Sequence, residues 1–129
     1  MKFTLLCPDS WRGYQIHSTF KKICEALQWN LELCRSAEKA MESSHGADAV
    51  IIALTDDCPN FNGLLERTAF EDLLEKIDSR KPIFGTEEEK LPWNVAPREN
   101  LHLCKPEMLY VTIRRFYGID DLPEKKKEN

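Results

Sequence analysis

The chain predicts an α/β protein, a parallel five-stranded sheet covered by helices on both faces, and three observations carry that expectation. The run Ala49-Val50-Ile51-Ile52-Ala53-Leu54 is apolar with no polar alternation, a pattern that requires both faces of the strand to be covered. Further short apolar runs at Lys2 to Cys7, Leu31 to Cys34, Pro82 to Gly85 and Leu101 to Cys104 alternate with stretches of helical spacing. Each parallel step needs a right-handed crossover that lays a helix on one face, so the alternation selects the architecture.

Strand one, Lys2 to Cys7, ends at Pro8-Asp9-Ser10. Asp9 or Ser10 can cap the following helix, which places Ile16, Phe20, Ile23, Cys24 and Leu27 on one face and ends near Gln28 to Asn30. Leu31 to Cys34 is strand two. Ser36 opens a polar helix with the thin apolar stripe Ala37, Ala40 and Met41, and Gly46 supplies a stop. Strand three runs from Asp48 to Leu54. The loop Thr55 to Gly63 is longer than the usual connection of about 2 to 6 residues, and excess length at that place suggests function. Leu64 to Ser79 forms a helix with Leu65, Ala69, Phe70, Leu73, Leu74 and Ile77 inward. Pro82 to Gly85 is strand four, Glu87 to Asn100 is an acidic connection broken by Pro92 and Pro97, and Leu101 to Cys104 is strand five. Pro106 or Glu107 opens the last helix, which runs through Tyr117.

Five such units fit the flavodoxin-like order 2-1-3-4-5 in a three-layer, Rossmann-like sandwich. Residues 1–117 form one α/β domain, and 118–129 form a charged, flexible C-terminal tail. The switch point of that order lies between strands one and three, so the loops after Cys7 and Leu54 face one crevice, the usual ligand place in open α/β sheets.

Bulk properties narrow the function. With 129 residues, 42% apolar and 31% charged, the chain is an ordinary soluble domain. Its longest apolar run falls far short of the ~20 residues of a spanning helix, so no membrane role is expected. The N-terminus reads as a buried strand rather than a signal peptide. A formal charge of −4 argues against nucleic-acid binding, which draws on surplus Lys and Arg. Five cysteines with no Cys-x-x-Cys pair read as free thiols in a reducing cytoplasm. Neither they nor His17, His45 and His102 have zinc-ligand spacing, and the sequence shows no Ser or Cys partner for nucleophilic chemistry with these histidines. No metal or cofactor is expected, and a catalytic triad is not supported.

The crevice would hold Pro8, Asp9, Ser10, Arg12, Gly13 and Tyr14 from the first loop. Arg12 can pair with a phosphate, Ser10 and backbone N–H groups at the helix start can hold an anion, and Trp11 or Tyr14 can stack on a base. The competing reading is a helix cap with surface aromatics. From the second loop come Thr55, Asp56 and Asp57, with Thr86 after strand four. Asp56 and Asp57 can bind a hydroxyl pair, a metal or an attacking group, or simply form a solvated turn. Glu71 and Glu75 lie one helical turn apart, and a carboxylate on the buried side can act as nucleophile or general base. The alternative is a charged outer face shared with Glu66 and Asp78.

The segments Ala47 to Thr55, Ala69-Phe70-Glu71, Lys81 to Gly85 and Leu91-Pro92-Trp93-Asn94, with the opening Cys7 to Tyr14, resemble the nucleoside 2-deoxyribosyltransferase-like proteins and related TIR-like nucleotide-binding domains. That resemblance implies that Glu71 attacks the sugar C1′ and cleaves the N-glycosidic bond; with Asp56 or Asp57 from the second loop near the sugar, these three are the expected catalytic residues. It also implies a degenerate site, because Ala53 stands where the family keeps an acid and Leu73 where it keeps a glycine.

The chain also looks like a response-regulator receiver domain of the CheY-like type, through Pro59-Asn60-Phe61-Asn62-Gly63-Leu64, Thr86 and Lys105-Pro106. In that alignment the phosphoacceptor falls on Thr55 and the paired acids after strand one become Cys7 and Pro8, which leaves few oxygen ligands for magnesium. The leading expectation is therefore a cytoplasmic nucleoside- or nucleotide-binding domain, with N-glycosidase or deoxyribosyltransferase-like chemistry. Its alternative is a non-phosphorylatable receiver-like module with a protein partner, and a homodimer stays open in either case.

Overall fold

The computed structural model describes residues 1–7, 9–53, 73–86 and 99–119. Within them five strands, β1 (Lys2–Leu6), β2 (Asn30–Cys34), β3 (Ala49–Ala53), β4 (Ile83–Thr86) and β5 (Leu101–Cys104), form one sheet. Its order is β2-β1-β3-β4-β5 and every pairing is parallel, the flavodoxin-like α/β arrangement that the alternating pattern predicts. The helices are α1 (Trp11–Leu27), α2 (Ala37–Ser44) and α3 (Leu109–Tyr117), the last preceded by a 3-10 turn at Pro106–Met108. Residues 73–76 are also helical.

All five residues of β3 are fully buried, so each side of the strand meets a different core. Ala49, Ile51 and Ala53 face Phe3, Leu5, Phe20 and Cys24 with Leu109 and Ile113 of α3. Val50 and Ile52 face Leu6, Ala40, Leu73, Leu74 and Ile77. At about 1.5–3 kcal/mol for each large apolar side chain taken from water, Val50, Ile51 and Ile52 alone contribute several kcal/mol. Phe3 anchors the α1 side through ring contacts to Phe20, Trp29 and Tyr117 at centroid separations of 5.9, 5.1 and 6.2 Å.

On the opposite face α2 has only eight residues, too few to hold a helix by propensity. Ala40 packs into the core, and Ser43 Oγ lies 2.6 Å from the buried Thr4 Oγ1 while donating to Glu32 Oε1 at 2.9 Å. The Ser43 hydroxyl, then Lys2, hold the Glu32 carboxyl below its ordinary range.

Several boundaries depart from expectation. Strand one stops at Leu6, and strand four moves on by one residue to end at Thr86. The helix before β4 ends by residue 76 rather than Ser79, because Asp78 turns the chain by accepting from Arg80 N–H at 2.9 Å and Lys81 N–H at 2.9 Å. Gly46 is not a left-handed stop for α2: His45, Gly46 and Ala47 leave the helix through successive i→i−3 bonds. Pro106, which lacks a donor, starts the final helical segment as a 3-10 turn. The expected loop 55–63, the first part of its helix and the tail 120–129 lie outside the described residues.

Helices α1 and α3 close alike. Trp29 N–H reaches Cys24 O at 2.7 Å and Ile119 N–H reaches Arg114 O at 2.9 Å, each across a left-handed residue, Gln28 at φ 59° and Gly118 at φ 66°. A side chain in that region costs about 1–2 kcal/mol. Urea denaturation should therefore show Gln28→Gly stabilised by about 1 kcal/mol, whereas Ile51→Ala should lose about 2–5 kcal/mol to its cavity.

Candidate functional site

The carboxyl ends of the strands form the candidate site, and β1 delivers Cys7 to it. Cys7 N–H donates to Cys34 O at 3.2 Å, extending the β1–β2 register one step past the strand. The thiol is buried and donates to Gly13 O at 3.7 Å. Burial pushes its pKa from 9.0 up to about 11, against the opposing pull of the Arg35 guanidinium. A thiol held so far from its thiolate is no nucleophile at neutral pH.

Arg35 follows β2 directly, and Leu6 is the β1 partner of Cys34, so its side chain reaches across the end of β1. Nη1 donates to Cys7 O at 3.4 Å and lies 3.8 Å from Cys7 Sγ, while Nη2 is 3.9 Å from Asp9 Oδ1. A guanidinium thus lies against the end of β1.

Ser10 caps α1: its extended backbone aims Oγ at Gly13 N–H, 3.0 Å away. Gly13 is buried, with its N–H spent on the cap and its carbonyl facing Cys7. Arg12 is half-buried. Trp11 and Tyr14 are 69% and 58% exposed and stack on each other at 6.1 Å. On β4, Thr86 is fully buried between Ala53 and Cys104 in the sheet register. Asp9, Ser10, Arg12, Gly13 and Tyr14 thus gather at one turn, and Thr86 stands two strands from β1. Pro8, Thr55, Asp56, Asp57 and Glu71 lie outside the described residues, and Glu75 is exposed.

Among the described residues no group of three His, Cys, Asp or Glu side chains is placed to hold a metal ion, and no helix is long and apolar enough to cross a membrane. His17 is half-buried on α1, its pKa lowered by burial and then by the nearby charges of Arg35 and Lys21. His102 packs between Phe84 and Phe116 at 5.4 and 5.0 Å.

No family model and no curated protein matches the chain. Its fold is that of a receiver domain. It is similar to the receiver domain of the sensor histidine kinase PA1611 from Pseudomonas aeruginosa PAO1, whose crystal structure has magnesium coordinated in its active-site cleft. The two are 14% identical with a TM-score of 0.59, over 91% of this chain and 97% of that one. This likeness overturns the leading expectation of a nucleoside- or nucleotide-binding domain with N-glycosidase or deoxyribosyltransferase-like chemistry. The deoxyribosyltransferase and TIR resemblance finds no support, and the competing receiver resemblance does.

Arg35 drew no attention in the sequence, because its place depends on β1–β2 pairing. The thiols have a measurable consequence. Cys7 and Cys24 are both pushed from 9.0 up to about 11 by burial, so the unfolded chain loses these protons first as pH rises. Their stabilisation is complete below pH 9 and disappears by about pH 11. Melting temperature should fall across that interval, with a shallower slope in Cys7→Ala.

Proposed function

We propose that the chain is a receiver-like protein-interaction module that works without phosphoryl transfer, in a compartment that keeps its thiols reduced. The fold likeness supports the receiver-like part. The observation that carries the rest is the end of β1, where the receiver resemblance expects paired carboxylates and the chain has the buried Cys7 thiol and Pro8.

A magnesium ion requires several hard oxygen ligands in near-octahedral geometry. The β1 end answers that requirement poorly: its thiol stays protonated, and the Arg35 guanidinium donates to the Cys7 carbonyl. A cation beside a would-be cation site raises the cost of placing a second one there. With Thr55 at the phosphoacceptor position, the carboxylate that would form an acyl phosphate is missing as well.

What remains is a binding surface on a rigid sheet. Lys105 follows β5 and is exposed, as is Met108 in the next turn. Phe116, on the last turn of α3, is 48% exposed, its ring held edge-on to Phe84 at 5.5 Å. An exposed methionine that closes a turn on an exposed lysine suits contact with another protein. The functional face is therefore the one around Lys105 and α3.

Incubation with acetyl phosphate and magnesium, followed by intact mass measurement, tests the phosphate-independent part. The mass should stay that of the unmodified chain, whereas a phospho-adduct would refute it.

A further inference from the structure

Helix α2 packs on the side of the sheet that carries Leu6 and Cys34, and it does so with little apolar surface. Ala40 is its fully buried apolar residue, while Ala37 and Met41 pack at the margin. Its other buried residues are Ser43 and Ser44. Helix α1, on the opposite face, is seventeen residues long and buries Phe20, Ile23 and Cys24. A helix of about two turns has little stability of its own, so polar ties decide whether α2 stays down.

The hydroxyl protons in these ties have a fixed direction. Ser43 has a single one and gives it to Glu32 Oε1 at 2.9 Å. In the 2.6 Å contact between Ser43 Oγ and Thr4 Oγ1, Thr4 is therefore the donor. The Glu32 carboxylate, 3.2 Å from Lys2 Nζ, thus orients a chain from Thr4 through Ser43 to Glu32 that joins α2 to β1 and β2. A second tie comes from Lys81, just before β4. Its Nζ donates to the carbonyl of Ser44, the last residue of the helix.

Lifting α2 would let Thr4, Ser43 and Glu32 exchange their mutual bonds for water. The other layers need not move with it. β1 keeps its pairing with β2 and β3, and the core formed with Phe20, Leu109 and Ile113 lies on the opposite face.

We propose that α2 is a latched cover, held by the Thr4–Ser43–Glu32 chain and the Lys81 strap, that opens as a unit while the rest of the sheet stays folded. Opening bares Thr4, Leu6 and Cys34. Burial raises the Cys34 pKa and the Ser43 hydroxyl beside it opposes that rise, so this thiol sits under the cover and reports its motion. Elements with few buried apolar contacts are the ones that open locally. The inference is independent of how the carboxyl edge of the sheet is used.

Native-state hydrogen exchange on the full chain tests it, read at α2 and β3 along a urea series below the unfolding transition. The amides of Ala40 to Ser44 should exchange faster than those of β3 by about tenfold or more, with a weaker dependence on urea. Ser43→Ala strands the buried Thr4 hydroxyl in the closed state and should speed α2 exchange by roughly tenfold. Lys81→Met should speed it by about two- to fivefold. Iodoacetamide, followed by peptide mass mapping, should alkylate Cys34 ahead of Cys24, the buried thiol of α1.

Equal exchange of α2 and β3 with the same urea dependence would overturn the proposal, because the helix would then leave only when the chain unfolds. Unchanged α2 exchange in Ser43→Ala beside faster exchange in β3 would also overturn it, since opening would then leave the hydroxyl chain intact. Alkylation of Cys24 ahead of Cys34 would do the same.

Discussion

Burial of β3 on both faces is the constraint from which the rest of the structure follows. A strand made only of Ala, Val and Ile cannot leave either face in water, so neighbours must lie on both edges and helices above and below. Parallel pairing with β1 on one edge and β4 on the other supplies the first requirement. Helices α1 and α3 supply one cover, and α2 with residues 73–77 supplies the other. The same geometry sets the carboxyl ends of β1, β3 and β4 side by side.

The two ends of the sheet use polar groups differently. Near the amino-terminal half, Thr4, Ser43, Glu32 and Lys2 form a connected set that ties α2 to β1 and β2. A buried hydroxyl such as that of Thr4 needs its partner, because an unmet hydrogen bond there costs about 1–3 kcal/mol. At the carboxyl end the described groups include a protonated thiol, a capped helix start, and a guanidinium between a backbone carbonyl and the Asp9 carboxylate. These contacts hold the β1–α1 turn in shape.

The strands were legible because their signals are local. Lys2 to Leu6, Leu31 to Cys34 and Leu101 to Cys104 are short apolar runs between turn residues, and the apolar face of α1 at Phe20, Ile23 and Cys24 repeats at helical spacing. The site was less legible for a physical reason. Strand order and a ligand place at the carboxyl edge are general properties of open α/β sheets, so a match to them does not choose a chemistry. The segments around Ala47 and Lys81 specify a buried parallel strand far more strongly than a nucleoside site, which is how the leading expectation went astray. Arg35 meets Cys7 only through β1–β2 pairing, and Thr4 meets Ser43 only where α2 lies on the sheet. Contacts of that kind carry no periodic signal.

The proposed reading is of a receiver-like module that works without metal-dependent phosphoryl transfer. Titrating magnesium into isotopically labelled protein while following the amide resonances of Cys7, Ala53 and Thr86 tests it most directly. The account predicts no saturable shift at these strand ends at millimolar magnesium. A saturable shift shared by all three would place a bound cation at the carboxyl edge and contradict it.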